Sequence, residues 1–155
     1  MSLANIYMGI DPGQSGGITT VTDTGNVDAT KMPQTEHDIN SLIEYINSYS
    51  NKLFCIIEDV HSFPGQGVAS SFKFGRGYGF LRGCLIANKI SFKEVSPRVW
   101  QKGLGVVPRK KDTESKTQFK NRLKGMAQQI HPELNITLAT ADSILIAEYA
   151  KLIYK

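Results

Sequence analysis

Asn5-Ile6-Tyr7-Met8-Gly9-Ile10-Asp11-Pro12-Gly13 decides the fold. The run from Asn5 to Ile10 is short and apolar, and it breaks abruptly at Asp11-Pro12-Gly13. An apolar run of this length stopped by Pro-Gly reads as a buried strand that ends in a tight turn. Gly16 to Val21 is rich in β-branched residues and reads as a second strand. Thr22 to Asn26 reads as a hairpin loop, and Val27 to Met32 returns as a third strand.

Outward from this hairpin the pattern becomes helical. Thr35 or Glu36 opens a helix whose Ile39, Leu42, Ile43 and Ile46 make one apolar face. Leu53 to Val60 is nearly continuous in apolar residues, which suits a central strand covered on both sides, and Glu58-Asp59 interrupts its end. Ser62 to Gly67 is a loop, followed by a helix from Ser70 to about Asn88. Gly75, Gly79 and Gly83 fall on one stripe of that helix. Each glycine costs ~1 kcal/mol against alanine there, so the stripe predicts close packing by the sheet or a second helix. Ile90 to Val95 is a strand, and Ser96-Pro97 starts a short helix that ends near Gly103. Val106 to Asp112 reads as a mobile basic loop. A basic helix covers Thr113 to Ile130 with Phe119, Leu123, Met126 and Ile130 on its apolar face. Pro132 breaks it, and a last helix runs from Ala139 to Tyr154. The order is β-β-β-α-β-α-β-α-α-α: an α/β chain, read as one domain over 1–155, with a partly antiparallel sheet.

The chain has 155 residues, of which 41% are hydrophobic and 21% charged, values of an ordinary globular protein rather than a disordered one. No apolar run approaches the ~20 residues of a membrane span, and the N-terminus does not read as a signal peptide. The expectation is a cytoplasmic setting (a bacterial or phage-infected cell), an organelle or a viral factory, without membrane association or secretion. Cys55 and Cys84 sit in apolar contexts and read as reduced core thiols. His37, His61 and His131 are scattered and read as surface or structural, and Trp100 as core.

The net charge of +4 is unevenly spread. Residues 96–124 carry nine basic side chains against two acidic ones, whereas the rest of the chain carries nine basic against twelve acidic. A mildly acidic body with a basic arm is the pattern of an electrostatic footprint on nucleic acid.

Three acids stand where acids are costly. Asp11 ends the first strand, Glu58 lies near the end of the apolar fourth strand, and Asp142 begins an otherwise apolar helix. Each alone has a structural explanation: a turn cap, a lysine partner, a helix-dipole contact. Together, with few basic residues near them in sequence, they predict converging carboxylates. Such a group suits a hard divalent ion, Mg²⁺ or Mn²⁺, which takes oxygen ligands and clamps phosphate oxygens.

Gly9-Ile10-Asp11-Pro12-Gly13, then Ile57-Glu58, then Ala141-Asp142-Ser143 before an apolar helix, resembles the RuvC-type Holliday junction resolvases of the ribonuclease H-like superfamily. The glycine-rich helix, the segment Val95 to Lys102 and the helix start Ser115-Lys116-Thr117-Gln118 extend the resemblance over nearly the whole chain. The resemblance implies a ribonuclease H-like fold with a mixed five-stranded sheet flanked by helices. It also implies a homodimeric endonuclease that nicks four-way junction DNA symmetrically with Mg²⁺ or Mn²⁺. Asp11, Glu58 and Asp142 match the family's catalytic metal ligands. Lys102 (or Gln101, one position away) and Lys116 match lysines on the phosphate backbone. Arg109, Lys110, Lys111 and Lys120 extend the DNA-binding surface. Phe63 is either the family's junction wedge, shifted from the offset where this chain has His61, or a loop residue tucked into the core. One departure matters: the family's fourth ligand position is Ala139. Asp59 or His131 compensates, or a second metal binds weakly, or the site is inactivated. Another ribonuclease H-like nuclease and a catalytically weakened junction-binding protein are the alternatives. An actin-like ATPase is excluded because that fold needs two such domains.

Overall fold

The computed structural model describes residues 3–155. Its elements follow the expected order: β1 (Asn5–Asp11), β2 (Gly17–Thr22), β3 (Val27–Lys31), α1 (Glu36–Ser48), β4 (Lys52–Glu58), α2 (Val68–Ala87), β5 (Phe92–Val95), α3 (Pro97–Gly103), α4 (Lys116–Ile130) and α5 (Leu138–Tyr154). The strands form one sheet in the order β3-β2-β1-β4-β5. β1 pairs antiparallel with β2 and parallel with β4, so it lies at the centre of a mixed sheet.

Strand alternation sorts the two cores. From β1, Ile6, Met8 and Ile10 pack with Cys55 and Ile57 of β4 against α1 and α2. Tyr7 and, from β4, Ile56 face the opposite side, where α3, α4 and α5 close over the sheet. By the same parity Asp11 and Glu58 fall on the α5 side.

α5 sits very close to the sheet. A Cβ added to Gly9 would collide with the backbone of Ser143, Ile146 and Ala147, and one on Gly17 would crowd Ser143 and Ala139. A buried hydrogen bond of 2.8 Å links Thr19 Oγ1 and Ser143 Oγ. The Ser143 hydroxyl donates to the Thr140 carbonyl at 2.9 Å, so Thr19 is the donor in that pair. Gly13, at φ +101°, makes the turn that stops β1 at Asp11.

The glycine stripe of α2 is not covered by the sheet or by a helix of the same chain. Among the described residues nothing lies within 4 Å of a Cβ placed on Gly75, Gly79 or Gly83. The glycines that admit a helix backbone, Gly9 and Gly17, are on strands instead. α4 begins at Lys116 rather than Thr113, because Ser115 and Gln118 form a reciprocal capping box. Ala127 is buried on its inner face, while Ile130, expected on that face, is 40% exposed at the last residue of the helix. The loop before α4, expected to be mobile, is tied down. Arg122 donates to the Val107 carbonyl and to both Glu114 oxygens, and Arg109 donates to the Glu114 carbonyl.

Gly9→Ala is expected to lower the unfolding free energy by about 3 kcal/mol, since overpacking against a helix backbone cannot be relieved by a side-chain rotation. Gly79→Ala should raise it by up to ~1 kcal/mol. Urea unfolding of both variants checks this pair, and equal effects would contradict the assignment of close and open glycines.

Candidate functional site

The C-terminal ends of β1 and β4 meet the first turns of α5. Ile10 pairs with Ile57 in the parallel register, so Asp11 and Glu58 are the next residues of adjacent strands. Neighbouring strands lie ~4.8 Å apart, which makes these two backbone positions close neighbours. Asp142 enters from α5, whose approach to Gly9 sets its height above the sheet. A cleft of about 510 Å³ opens here, lined in part by Asp11, Asp142, Ala139, Lys120 and Lys31. Glu58 lies deeper, only 8% exposed.

Burial raises all three acids, and neighbouring carboxylates add to it at Asp11 and Glu58. Burial, followed by the nearby charges of Glu58 and Asp142, pushes the Asp11 carboxyl up to about 8, against a smaller lowering by Lys120. Burial pushes Glu58 up to about 7, opposed by its hydrogen bond from Trp100 and assisted by the charge of Asp142. Burial also raises Asp142, and Lys120 opposes it. Among the described residues none of the three acids enters an ion pair.

The convergence is one of placement, not of a finished ligand cage. Among the described residues no group of three or more His, Cys, Asp and Glu side chains is gathered closely enough to hold a metal ion. Like charges at close range repel, which raises the pKa of carboxylates that share a site. The donor set itself fits a hard divalent cation: three carboxylates, oxygen ligands throughout, without an ion-paired partner.

The other expected residues distribute as follows. Lys120 reaches the cleft beside the acids. Lys116 lies one turn earlier on the same exposed face of α4. Lys102 is exposed in the last turn of α3, and Lys110 and Lys111 are exposed in the turn before α4. Arg109 is half-buried and engaged with Glu114. Phe63 is 65% exposed in the loop after β4, not tucked into the core. Ala139 lines the cleft, and neither compensating candidate does. Asp59 lies 3.3 Å from His61, and His131 is buried with Nε2 2.6 Å from Glu148.

Two residues of the site escaped the sequence reading. Trp100, fully buried as expected, donates its indole N–H to Glu58 Oε2 at 2.8 Å. Lys31 shares the cleft because Asp11 pairs with Gly17 and Gly17 with Lys31, one row across three strands. Gly17 has no side chain, so it leaves that row open. Only the register could have revealed Lys31, and the register rests on the hairpin loop.

No family model and no curated protein sequence matches the chain. Solved structures do. Thermus thermophilus RuvC in complex with a Holliday junction substrate matches with a TM-score of 0.60 at 14% identity, covering 96% of this chain and 94% of that one. A second Thermus thermophilus RuvC structure matches with a TM-score of 0.53 at 15% identity, covering 93% and 92%. The chain has the RuvC fold. That fold is the ribonuclease H-like architecture of a mixed five-stranded sheet flanked by helices, and the likeness extends over nearly the whole of each chain. At such identity the RuvC likeness establishes the architecture, and activity has to be argued from the site.

The raised Asp11 carboxyl has a measurable consequence. Its folded value near 8 exceeds the ordinary 3.8, so between these values the folded chain binds more protons than the unfolded one. Stability of the metal-free protein should therefore fall as pH rises from ~5 to ~8.5. Melting curves of the parent and of Asp11→Asn across that range isolate the carboxyl. The parent should lose stability more steeply, and parallel curves would contradict the raised value.

Proposed function

We propose that the chain is a divalent-metal-dependent endonuclease that resolves four-way DNA junctions as a homodimer. The observation that carries this reading is the meeting of Asp11, Glu58 and Asp142 at one edge of a RuvC-type sheet, beside a cleft that also holds lysines. A RuvC of this fold is known in complex with a Holliday junction substrate. Asp11, Glu58 and Asp142 would hold Mg²⁺ or Mn²⁺, which when bound would activate water and neutralise charge on the scissile phosphate.

The rest of the work falls to this chain's own side chains. Lys120 and Lys31 offer ammonium groups to non-bridging phosphate oxygens at the cleft. Lys116, Lys102, Lys110 and Lys111 extend a basic track toward the arms of the DNA and offset repulsion from the acids. Arg109 supports this track by fixing the loop through Glu114. Ala139 offers no carboxylate and Lys120 brings a positive charge to the same cleft, so the three acids would hold one ion more readily than two. DNA of this kind places the activity in a cytoplasm or another DNA-bearing compartment, and among the described residues no helix is long and apolar enough to cross a membrane.

The homodimer is supported by the outer face of α2. Its open glycines lie among exposed Val68, Phe72 and Ile86, an apolar surface that the described residues leave uncovered. Phe63 projects from the adjoining loop, where a wedge at the junction centre would act.

The test incubates the protein with a labelled four-way junction and Mg²⁺ or Mn²⁺, beside a linear duplex and an RNA–DNA hybrid. Symmetric nicks in the junction alone are expected. Cutting of the hybrid alone would overturn the reading, and junction binding without cutting would leave a binding protein weakened at Ala139. Asp11→Asn should abolish cleavage while preserving junction binding, and loss of binding by the folded variant would contradict its assignment.

Lys116→Ala and Lys120→Ala should each weaken junction binding and reduce the slope of log K against log salt by about 1. Binding isotherms over a series of salt concentrations read this directly. An unchanged slope would move the DNA surface away from α4.

A further inference from the structure

We propose that Trp100 is a positioning residue for Glu58: its indole N–H holds one carboxylate oxygen and leaves the other to meet a divalent cation. This rests on the metal-dependent nuclease reading above and names a residue through which that site is set.

The geometry is specific. The indole nitrogen donates to Glu58 Oε2 at 2.8 Å, across 42 residues of sequence. The indole can only donate, so the bond fixes which carboxylate oxygen is occupied. Trp100 is fully buried, in the core cluster that also holds Tyr7, Ile56 and Leu145. α3 is equally fixed. Ser96 caps its first turn, Pro97 presets its start, and Gly103 packs against the Tyr149 ring. Without this donor, Glu58 has several side-chain torsions and no ion-paired partner to choose among them. Packing alone does not require a tryptophan here, since phenylalanine would supply an aromatic ring without a buried N–H that needs a partner. α3 also carries Lys102 in its last turn and leads into the basic loop. One short helix thus sets a metal-binding oxygen at one point and begins the DNA-facing track at another.

Trp100 is the chain's single tryptophan, so its fluorescence reports from beside Glu58. The experiment titrates Mn²⁺ into the full chain without DNA, reading fluorescence and, separately, calorimetric binding. The parent should show saturable quenching. Glu58→Gln keeps an oxygen to accept the indole N–H and should lose the saturable response. Trp100→Phe, read by calorimetry, should bind Mn²⁺ about ten-fold more weakly, the scale seen when a partner of a metal ligand is removed. Ile136→Val, in the same core cluster, should leave the affinity unchanged. A folded Trp100→Phe that binds Mn²⁺ as tightly as the parent overturns the positioning role and leaves the nuclease reading standing. A parent that binds no Mn²⁺ and cuts no junction overturns both. If Trp100→Phe does not fold, the parent decides: Mn²⁺ bound calorimetrically without any change in fluorescence places the ion away from the Glu58–Trp100 pair and overturns the proposal.

Discussion

The contact between Gly9 and the backbone of α5 is the constraint on which the site depends. A helix carrying ordinary side chains against a sheet needs room for both layers, but Gly9 and Gly17 remove one layer beneath the first turns of α5. The helix settles onto β1 and β2, and the Thr19–Ser143 hydrogen bond fixes its register there. Asp142, one residue before Ser143, is thereby set at the same edge as Asp11. Parallel pairing of β1 with β4 adds Glu58 at the next step. Three residues far apart in sequence meet through one close approach and one strand register.

That meeting is electrostatically unfavourable by itself. Burial and mutual repulsion push Asp11 and Glu58 toward neutral pH, and the ion pairs of the described residues lie elsewhere. The chain tolerates this because the remainder of the α5 side is a well-filled apolar core. The positive charge is held outside that core, on α4 and the loop before it, where Arg122 and Glu114 fasten the loop. A small net charge of +4 therefore conceals two separated fields: acids held at the sheet edge and bases spread over the arm.

Much of this was legible in the sequence because the chemistry lay at the ends of apolar runs. Asp11 and Glu58 were conspicuous as charges that stop strands, and Asp142 as a charge in an apolar helix. The order of all ten elements followed from periodicity and from breakers such as Pro12-Gly13, Ser96-Pro97 and Pro132. Glycine was read less well. A period of four on α2 suggested close packing, yet that face is open, whereas the glycines that do admit a helix sit singly in strands, where sequence gives them no distinctive pattern. Trp100 was recognisable as core but not as the partner of Glu58, because that bond spans two elements whose approach only the tertiary fold defines. Lys31 was hidden for the same reason, being brought to Asp11 by register across three strands.

The most direct measurement is the anomalous scattering of crystals grown with Mn²⁺. An ordered Mn²⁺ bound by Asp11, Glu58 and Asp142, with the indole of Trp100 still on Glu58 Oε2, is the expected result. A well-ordered structure in which Mn²⁺ binds elsewhere, or in which the three carboxylates stay apart with saturating Mn²⁺ present, would contradict it.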